Sequence, residues 1–276
     1  MKYIMFTKHL QGLDLAGIAG ALNSVGVEGA DLCVREGYPV NPENIQTALP
    51  DAAQQLADEG LSLPMVTGPG ELTRPDLEYA DEFYGVCGEV GVKHIKIGYW
   101  PWNRERHYWD QVAEARKLLE GFQKLSEEHG VQTVVHTHSG TNLGLNSCAV
   151  MDLVQDLDPS LVGVFLDTGH LSLCGEPISM ALDIVRDYLS VMAFKDMIWE
   201  KRTVGGETVW KSRVVPMGQG YVHWAEVLRG LEAADFEGHV SFHSEYSGQP
   251  TKRVVELART DVEFIDVTLN GEEPAF

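Results

Sequence analysis

Short apolar runs rich in β-branched residues alternate along this chain with longer segments of helical periodicity. The apolar runs recur roughly every 30 residues, at Tyr3–Thr7, Gly29–Val34, Leu61–Val66, His94–Tyr99, Val131–His136, Leu161–Asp167, Ser190–Lys195 and Val240–Glu245. The helical segments are Leu10–Ser24, Asp51–Glu59, Pro75–Glu89, Tyr108–His129, Ala149–Leu157, Ile178–Tyr188, Trp224–Ala234 and Thr251–Leu269. Regular alternation of strand and helix predicts parallel βα units, and eight such units close a (β/α)₈ barrel. We therefore predict a single-domain TIM barrel over residues 1–276.

The longest break in this alternation lies between the seventh and eighth predicted strands. Residues Glu200–Val215 are polar and contain glycine, and a loop of this length after a barrel strand is typical of a lid or a substrate wall. Trp199 and Trp210 belong to the same region. Their rings are suited to stacking on a sugar, and packing of the loop onto the barrel is an equal alternative.

The composition of the chain limits the cellular compartment and the binding partners that we expect. The chain has 276 residues of which 44% are hydrophobic, enough for one large core. Its formal net charge of -20 repels polyphosphate backbones, so nucleic acid and anionic membranes are poor partners. No stretch approaches the roughly 20 apolar residues of a spanning helix, and the N-terminus has no signal pattern, so we expect a cytoplasmic protein. The four cysteines lack CxxC spacing, which favours reduced thiols over a zinc or disulfide framework.

Polar residues stand at the inward-facing C-terminal ends of several predicted strands. Alternate side chains of a barrel strand point inward, and those at its C-terminal end face the mouth, where active sites lie. The residues in such positions are Asp31, Cys33, Arg35, His94, Lys96, His136, His138, Asp167, His170, Lys195, Ser241, His243 and Glu245. Because unpaired buried charge is costly, so many polar strand ends indicate a functional site.

Imidazoles and carboxylates that converge at one end of a barrel predict a site for one divalent cation. Mn²⁺, Zn²⁺, Co²⁺ and Mg²⁺ are all chemically admissible there. Imidazole favours the transition metals, and carboxylates without thiolates are compatible with Mn²⁺. We expect Mn²⁺.

Three motifs in this order resemble the sugar phosphate isomerase/epimerase superfamily, the xylose-isomerase-like barrels. They are L-D-T-G-H-L at Leu166–Leu171, F-K-D at Phe194–Asp196 and V-P-M-G-Q-G at Val215–Gly220. The resemblance covers essentially the whole chain. Inosose dehydratases, ketose 3-epimerases, hydroxypyruvate isomerases and the endonuclease IV branch belong to this superfamily, so the motifs are fairly specific for the superfamily and weak for any one activity.

The resemblance also implies a set of metal ligands. In isomerase and epimerase members, Glu, Asp, His and Glu from the ends of the fifth to eighth strands hold a metal. The family's Asp corresponds to Asp167, and the histidine of its D-x-x-H motif, which contacts substrate in some members and metal in others, corresponds to His170. The implied ligands here are His136, Asp167 and Glu245, with His170, His138 or His243 completing the shell.

Two positions depart from the family pattern. His136, in H-T-H-S-G-T, replaces the fifth-strand Glu and is similar to the H-H-H-M-G-T run of inosose dehydratases. Ala193 replaces the seventh-strand histidine, which leaves Lys195 as the nearest inward polar residue. A two-carboxylate epimerase needs a base on each face of its enediolate, so the loss of one Glu weakens the analogy with ketose epimerases.

Two reactions share the predicted first step, in which the metal polarises a carbonyl and a base removes the adjacent proton. The first hypothesis is an isomerase or epimerase that acts on a small ketose or a related sugar-like hydroxycarbonyl compound through an enediolate. The alternative is a lyase or dehydratase that eliminates a β-substituent from an inosose or a 3-keto-glycoside, as enzymes of similar fold do.

Catalytic roles follow from the residue types at the strand ends. Glu245, or a non-ligating His138 or His243, is the expected base. Lys195 is the expected electrophilic helper, which holds a developing oxyanion. A Schiff base and a salt bridge to Asp167 are the alternatives for Lys195.

Substrate contacts are expected on the other strands of the mouth. Arg35 and Lys96 are predicted to anchor an anionic group or a hydroxyl at the distal end of the substrate, although Arg35 has the alternative role of neutralising Asp31 on its own strand. His170 and Trp199 complete the predicted substrate-binding residues.

Two other classes of protein are compatible with the fold. A phosphodiester nuclease of the endonuclease IV branch is disfavoured by the acidic charge and by too few ligands for a three-metal cluster. The other class is a sugar-binding barrel without a metal, and the metal content of the purified protein would distinguish it from the enzyme. Similar proteins are commonly dimers or tetramers, so we expect a homo-oligomer.

Overall fold

Eight parallel strands close a barrel in the structure, a computed structural model that describes residues 1–271. They are β1 (Lys2–Phe6), β2 (Gly29–Cys33), β3 (Ser62–Thr67), β4 (His94–Lys96), β5 (Gln132–His136), β6 (Val162–Asp167), β7 (Leu189–Phe194) and β10 (His239–Phe242). Strands β8 (Asp196–Val204) and β9 (Glu207–Val215) form a separate two-stranded sheet. Each predicted strand overlaps one barrel strand, so the predicted TIM barrel is confirmed.

Helices lie between the barrel strands and after the last one. They are α1 (Leu15–Val25), α2 (Ile45–Asp58), α3 (Ala80–Glu89), α4 (Tyr108–His129), α5 (Ser147–Val154), α6 (Thr168–Leu173), α7 (Ile178–Val185), α8 (Trp224–Ala233) and α9 (Thr251–Leu269). Helices α4 and α9 have the predicted bounds. A 3₁₀ helix at Thr7–Leu10 precedes α1, so α1 begins later than predicted. Helix α6 was not predicted, because its residues follow β6 without a break.

A cluster of apolar side chains fills the barrel interior, and polar side chains follow it towards the C-terminal ends of the strands. Ile4, Met65, Val134, Phe165, Val191 and Ala193 form the inner cluster, and every one of them is fully buried. The pleat repeats every two residues, so the strands that place Val134 and Phe165 in this cluster place His136 and Asp167 beyond it. The apolar core therefore fixes which polar side chains face the mouth.

The segment predicted as a loop is an antiparallel hairpin. Strands β8 and β9 pair from Asp196 with Val215 to Val204 with Glu207. Gly205 and Gly206 form the turn with φ angles of 61° and 85°, a conformation that favours glycine and suits the twist of a two-residue hairpin. The indole Nε1 of Trp199 donates to the Leu173 carbonyl at the end of α6, 3.3 Å away. This contact supports the packing alternative for Trp199.

The geometry of the F-K-D and P-M-G-Q-G motifs depends on one buried carboxylate, that of Asp196. It accepts hydrogen bonds from five donors, which are the amides of Met197, Gly218, Gly220 and Val222 and the indole Nε1 of Trp224. A Cβ atom at Gly220 would overlap this carboxylate. Asp196 thus ties the start of the hairpin to the segment that follows it.

The cysteines and the helices were examined for disulfide bonds and for membrane-spanning length. Cys33 and Cys87 are buried, Cys174 is half-buried and Cys148 is exposed, and all of them are free thiols. Among the described helices, none combines the length and apolar content needed to cross a bilayer.

Replacing Asp196 with alanine should destabilise the fold. The substitution leaves buried donors without an acceptor, and we expect the free energy of unfolding to fall by about 3 kcal/mol or more. Urea unfolding measures this change. Asp183→Ala is the matched control, because that carboxylate is 69% exposed and its loss should change stability by less than about 0.5 kcal/mol. Equal stability of the two variants would contradict this role of Asp196.

Candidate active site at the barrel mouth

A small cavity of about 110 Å³ opens at the C-terminal mouth of the barrel. Polar and charged residues dominate its lining, which consists of Phe6, Lys8, Arg35, Thr67, Lys96, Tyr99, His136, His138, Phe165, Lys195, His243 and Glu245. A larger hollow of about 360 Å³ lies outside the barrel, beside α6, α7 and the start of α8. We place the candidate site at the mouth, because ionisable side chains from several strands converge there.

Three buried side chains at the floor of this cavity direct unpaired polar atoms at one another. Nε2 of His136 is 3.3 Å from Oδ2 of Asp167, and Nδ1 of His243 is 3.8 Å from the same oxygen. None of these three atoms has a hydrogen-bond partner within the described chain, and all lie within 4.8 Å of one another. Two nitrogens and one oxygen in this arrangement are able to hold a metal ion.

Asp167 and His136 are held in place by hydrogen bonds through their other side-chain atoms, Oδ1 and Nδ1. Oδ1 of Asp167 accepts the amide of His170 at 2.8 Å, which caps α6 and turns Oδ2 towards the cavity. The hydroxyl of Thr137 accepts the Asp167 amide at 2.9 Å. Nδ1 of His136 lies 3.0 Å from the hydroxyl of Tyr99, so Nε2 is the nitrogen that faces the cavity.

Lys195 places its ammonium between two carboxylates. Nζ is 2.6 Å from Oε2 of Glu245 and 3.3 Å from Oδ2 of Asp167. Burial opposes the charge of Lys195, but the two carboxylates outweigh burial and raise its pKa. For Asp167 and Glu245, burial acts against ionisation, yet the nearby Lys195 holds both pKa values well below their usual ranges. All three groups are therefore charged at neutral pH.

The D-T-G-H motif positions Lys195 as well as Asp167. Thr168 Oγ1 accepts the Lys195 amide at 3.1 Å and donates to its carbonyl at 2.8 Å. A Cβ atom on Gly169 would lie 2.9 Å from that carbonyl oxygen, closer than real contacts allow. The threonine and the glycine thus let α6 approach the end of β7.

Glu245 lies at the edge of the three-residue group. Its Oε1 forms an ion pair with Nζ of Lys8 at 2.8 Å, and its Oε2 is 3.9 Å from Nδ1 of His243. In this state two lysines, rather than the histidine, make its shortest contacts.

His138 and His170 form a second pair of imidazoles. Their ring centroids are 3.9 Å apart. Nδ1 of His138 contacts the Ser139 carbonyl at 2.9 Å, whereas His170 contacts the Ser139 hydroxyl at 2.9 Å and Nζ of Lys195 at 3.4 Å. Burial lowers the pKa of both histidines, so both rings are neutral at neutral pH.

Arg35 and Lys96 lie on the opposite side of the mouth. Nζ of Lys96 is 3.6 Å from the centroid of the Tyr99 ring, and the Arg35 guanidinium is 5.9 Å from the Phe6 ring centroid. Asp31 does not pair with Arg35, because its carboxylate accepts the hydroxyls of Thr67 at 2.7 Å and Ser241 at 2.9 Å.

The structure brings most of the predicted site residues to one cavity. Those that line it are Arg35, Lys96, His136, His138, Lys195, His243 and Glu245. Asp167 has no exposed surface and lies beneath them, while His170 and Trp199 do not line the cavity. Sequence reasoning missed Lys8 and Thr67 as lining residues, and it left Tyr99 open between the substrate pocket and a subunit interface. Thr67 and Lys8 are polar residues at or just past strand ends and were within reach of the same argument, whereas Tyr99 follows β4 in an irregular segment.

Several known proteins are similar to this chain in sequence or in fold. The chain is 22% identical to an inosose dehydratase of Lacticaseibacillus casei over an alignment 294 positions long, which covers 99% of this chain and 93% of that protein. A structure of D-psicose 3-epimerase in the presence of D-fructose has a TM-score of 0.72 at 13% identity, with 98% of this chain and 100% of that chain covered. The IOLI protein with a bound zinc atom has a TM-score of 0.73 at 18% identity, with 96% and 98% covered.

The structural likenesses show the fold, and a match to a family model shows the family. The family model described as a xylose isomerase-like TIM barrel matches residues 19–266, which is most of the chain. The resemblance seen in the D-T-G-H and P-M-G-Q-G motifs is thereby confirmed, and this chain belongs to the xylose isomerase-like TIM barrel family.

Proposed function

We propose that this protein is a metal-dependent lyase that removes water from a small polyhydroxylated ketone. The observation that carries this proposal is the position of Lys195, whose ammonium engages both Asp167 and Glu245. Neither carboxylate is then free to serve as the second base of a two-carboxylate epimerase. Among the described histidines that line the cavity, His138 is the one whose imidazole does not face Oδ2 of Asp167, so it is our candidate base.

The donor set at the cavity floor supports a divalent cation. Nε2 of His136, Oδ2 of Asp167 and Nδ1 of His243 would hold it once the Lys195 ammonium moves away from Oδ2, with Glu245 at the edge. Imidazole and carboxylate without thiolate suit Mn²⁺, Zn²⁺ or Co²⁺, and Mn²⁺ stays our prediction among them. When bound, the ion would polarise the substrate carbonyl and stabilise the enolate. The zinc atom in the IOLI structure gives a precedent on the same fold.

The chain's own groups supply the proton transfers of an elimination. His138 removes the proton next to the carbonyl, and its Nδ1 contact with the Ser139 carbonyl keeps the ring oriented. The C–H and C–O bonds break, a carbon–carbon double bond forms, and the proton held by His138 returns to the departing hydroxyl as water. The charge of Lys195 stabilises the oxygen that becomes negative. The name inosose dehydratase, carried by the Lacticaseibacillus casei relative, describes a reaction of this kind.

Epimerisation or isomerisation, our first hypothesis from the sequence, is the second candidate. Glu245 favours it, because this carboxylate lines the cavity and becomes a base if Lys195 moves away. The fold likeness to D-psicose 3-epimerase is compatible with it. Incubation with ketoses in D₂O separates the two reactions. An epimerase incorporates deuterium next to the carbonyl and keeps every hydroxyl, whereas a dehydratase loses water.

Metal binding should depend on His136 and His243. We expect the wild-type protein to bind one divalent ion per chain, and His136→Ala or His243→Ala to weaken binding by about 100-fold or more, since loss of a partner one shell further out already costs 10- to 100-fold. Calorimetry with Mn²⁺ and Zn²⁺, checked by elemental analysis, measures both. His107→Ala is the control, because that side chain is 68% exposed. Unchanged affinity in both variants would contradict the site.

Activity should depend on His138. With inososes and 3-keto-glycosides as substrates, we expect an enone or diketone absorbance to appear, and His138→Asn to lower kcat by about 10²- to 10⁴-fold. The metal content of the variant should stay that of the wild type, because the His138 side chain is not among the proposed ligands. No absorbance change with any of these substrates would remove the lyase proposal, and full activity of His138→Asn would remove the role of His138.

A further inference from the structure

Two cations in the cavity have no anionic partner. Lys96 is 3% exposed, and its Nζ lies 3.6 Å from the centroid of the Tyr99 ring. Arg35 has a buried Nε atom without a hydrogen-bond partner. Within residues 1–271, no carboxylate oxygen lies within 4.0 Å of either side chain's charged nitrogens. A cation–π contact offsets part of the cost of burying an ammonium, but it leaves the charge uncompensated.

The nearby carboxylates are already engaged elsewhere. Glu245 pairs with Lys8 and Lys195, and Asp31 accepts the hydroxyls of Thr67 and Ser241. The protein's formal net charge is -20, yet this cavity is lined by two lysines and one arginine in addition to Lys195. Such a local excess of positive charge is typical of a site for an anion.

The lowered pKa of Lys96 also supports a site for an anion. Burial, and next the charge of Arg35, lower the pKa of Lys96 to about 7. An ammonium in this environment therefore lacks compensation, and a bound anion would supply it.

The strand register places the two cations at a suitable separation. Cys33 on β2 pairs with Thr67 on β3, which pairs with Lys96 on β4. Arg35 lies two residues past Cys33, so its backbone is about 10 Å from that of Lys96 across the strands and about 7 Å further along the strand direction. Side chains of this length converge across such a gap, and the planar guanidinium matches a carboxylate in a two-point contact.

We infer that the substrate of this enzyme carries a carboxylate, which binds between Arg35 and Lys96. The inference rests on the proposed function, because it assigns a substrate class, the polyhydroxylated keto acids, to the same cavity. It also orients the substrate, with the carboxylate towards β2 and β4 and the reacting carbonyl towards His136 and Asp167. Tyr99 lies between the two halves, its ring under Lys96 and its hydroxyl 3.0 Å from His136. The cavity volume of about 110 Å³ favours a small acid.

Binding of non-reacting ligands tests this inference. D-gluconate and D-glucitol differ in one terminal carboxylate, and neither has a ketone to enolise, so their affinities do not depend on the lyase activity. With metal-loaded protein in a calorimeter, we expect gluconate to bind about 10- to 100-fold more tightly than glucitol. Lys96→Met and Arg35→Met should each remove most of this preference while leaving glucitol binding unchanged. Arg74→Met is the control, because Arg74 pairs with Asp76 on the surface.

Several outcomes would overturn the inference. Equal binding of gluconate and glucitol, or binding of neither, contradicts a carboxylate site. A preference for gluconate that survives in both Lys96→Met and Arg35→Met would mean that the carboxylate binds the metal instead. Tighter binding of glucitol 6-phosphate than of gluconate would contradict a carboxylate in favour of a phosphate. If wild-type protein dehydrates neutral inososes as well as it dehydrates keto acids, the lyase proposal stands and the carboxylate inference fails.

Discussion

One buried carboxylate organises the mouth of this barrel. Asp167 has no exposed surface, so water does not stabilise its charge and the surrounding protein must. One of its oxygens caps α6, and the other faces Lys195 and the imidazoles of His136 and His243. These groups come from the ends of β5, β6, β7 and β10. The charge of a single side chain therefore draws four strand ends together.

Much of this arrangement follows from the sequence, and the reason is the regularity of the strands. His136 and Asp167 were predicted because each lies within a strand whose alternation is unbroken to its last residue. The question of His243 or Glu245 stayed open because β10 ends at Phe242 and the chain then turns, with the Glu245 amide bonded to the His243 carbonyl. Alternation carries no information past that point. The role of Tyr99 stayed open for the same reason, since β4 ends at Lys96.

The two departures from the family pattern have a physical account. Ala193 is level with Asp167 in the strand register and packs in the inner apolar cluster, at the position where the family pattern has a histidine. Strand β10 pairs with β7 through Ser241 and Ala193, and His243, two residues further along, brings an imidazole to Asp167 from this neighbouring strand. His136 replaces a carboxylate at a position where Asp167 and Lys195 already supply charges of both signs. If Glu245 at the edge is counted with His136, Asp167 and His243, the four groups match the number of ligands that the resemblance implies, with one carboxylate fewer and one imidazole more.

Anomalous diffraction from crystals of the Mn²⁺-loaded protein tests the central claim most directly, because it locates the ion itself. The account predicts one strong peak within bonding distance of His136 Nε2, Asp167 Oδ2 and His243 Nδ1, with the Lys195 ammonium displaced towards Glu245. A mouth without a peak, in which Lys195 still bridges Asp167 and Glu245, would contradict it. A peak only at the exposed group of Asp81, Glu128 and His129 would contradict it as well.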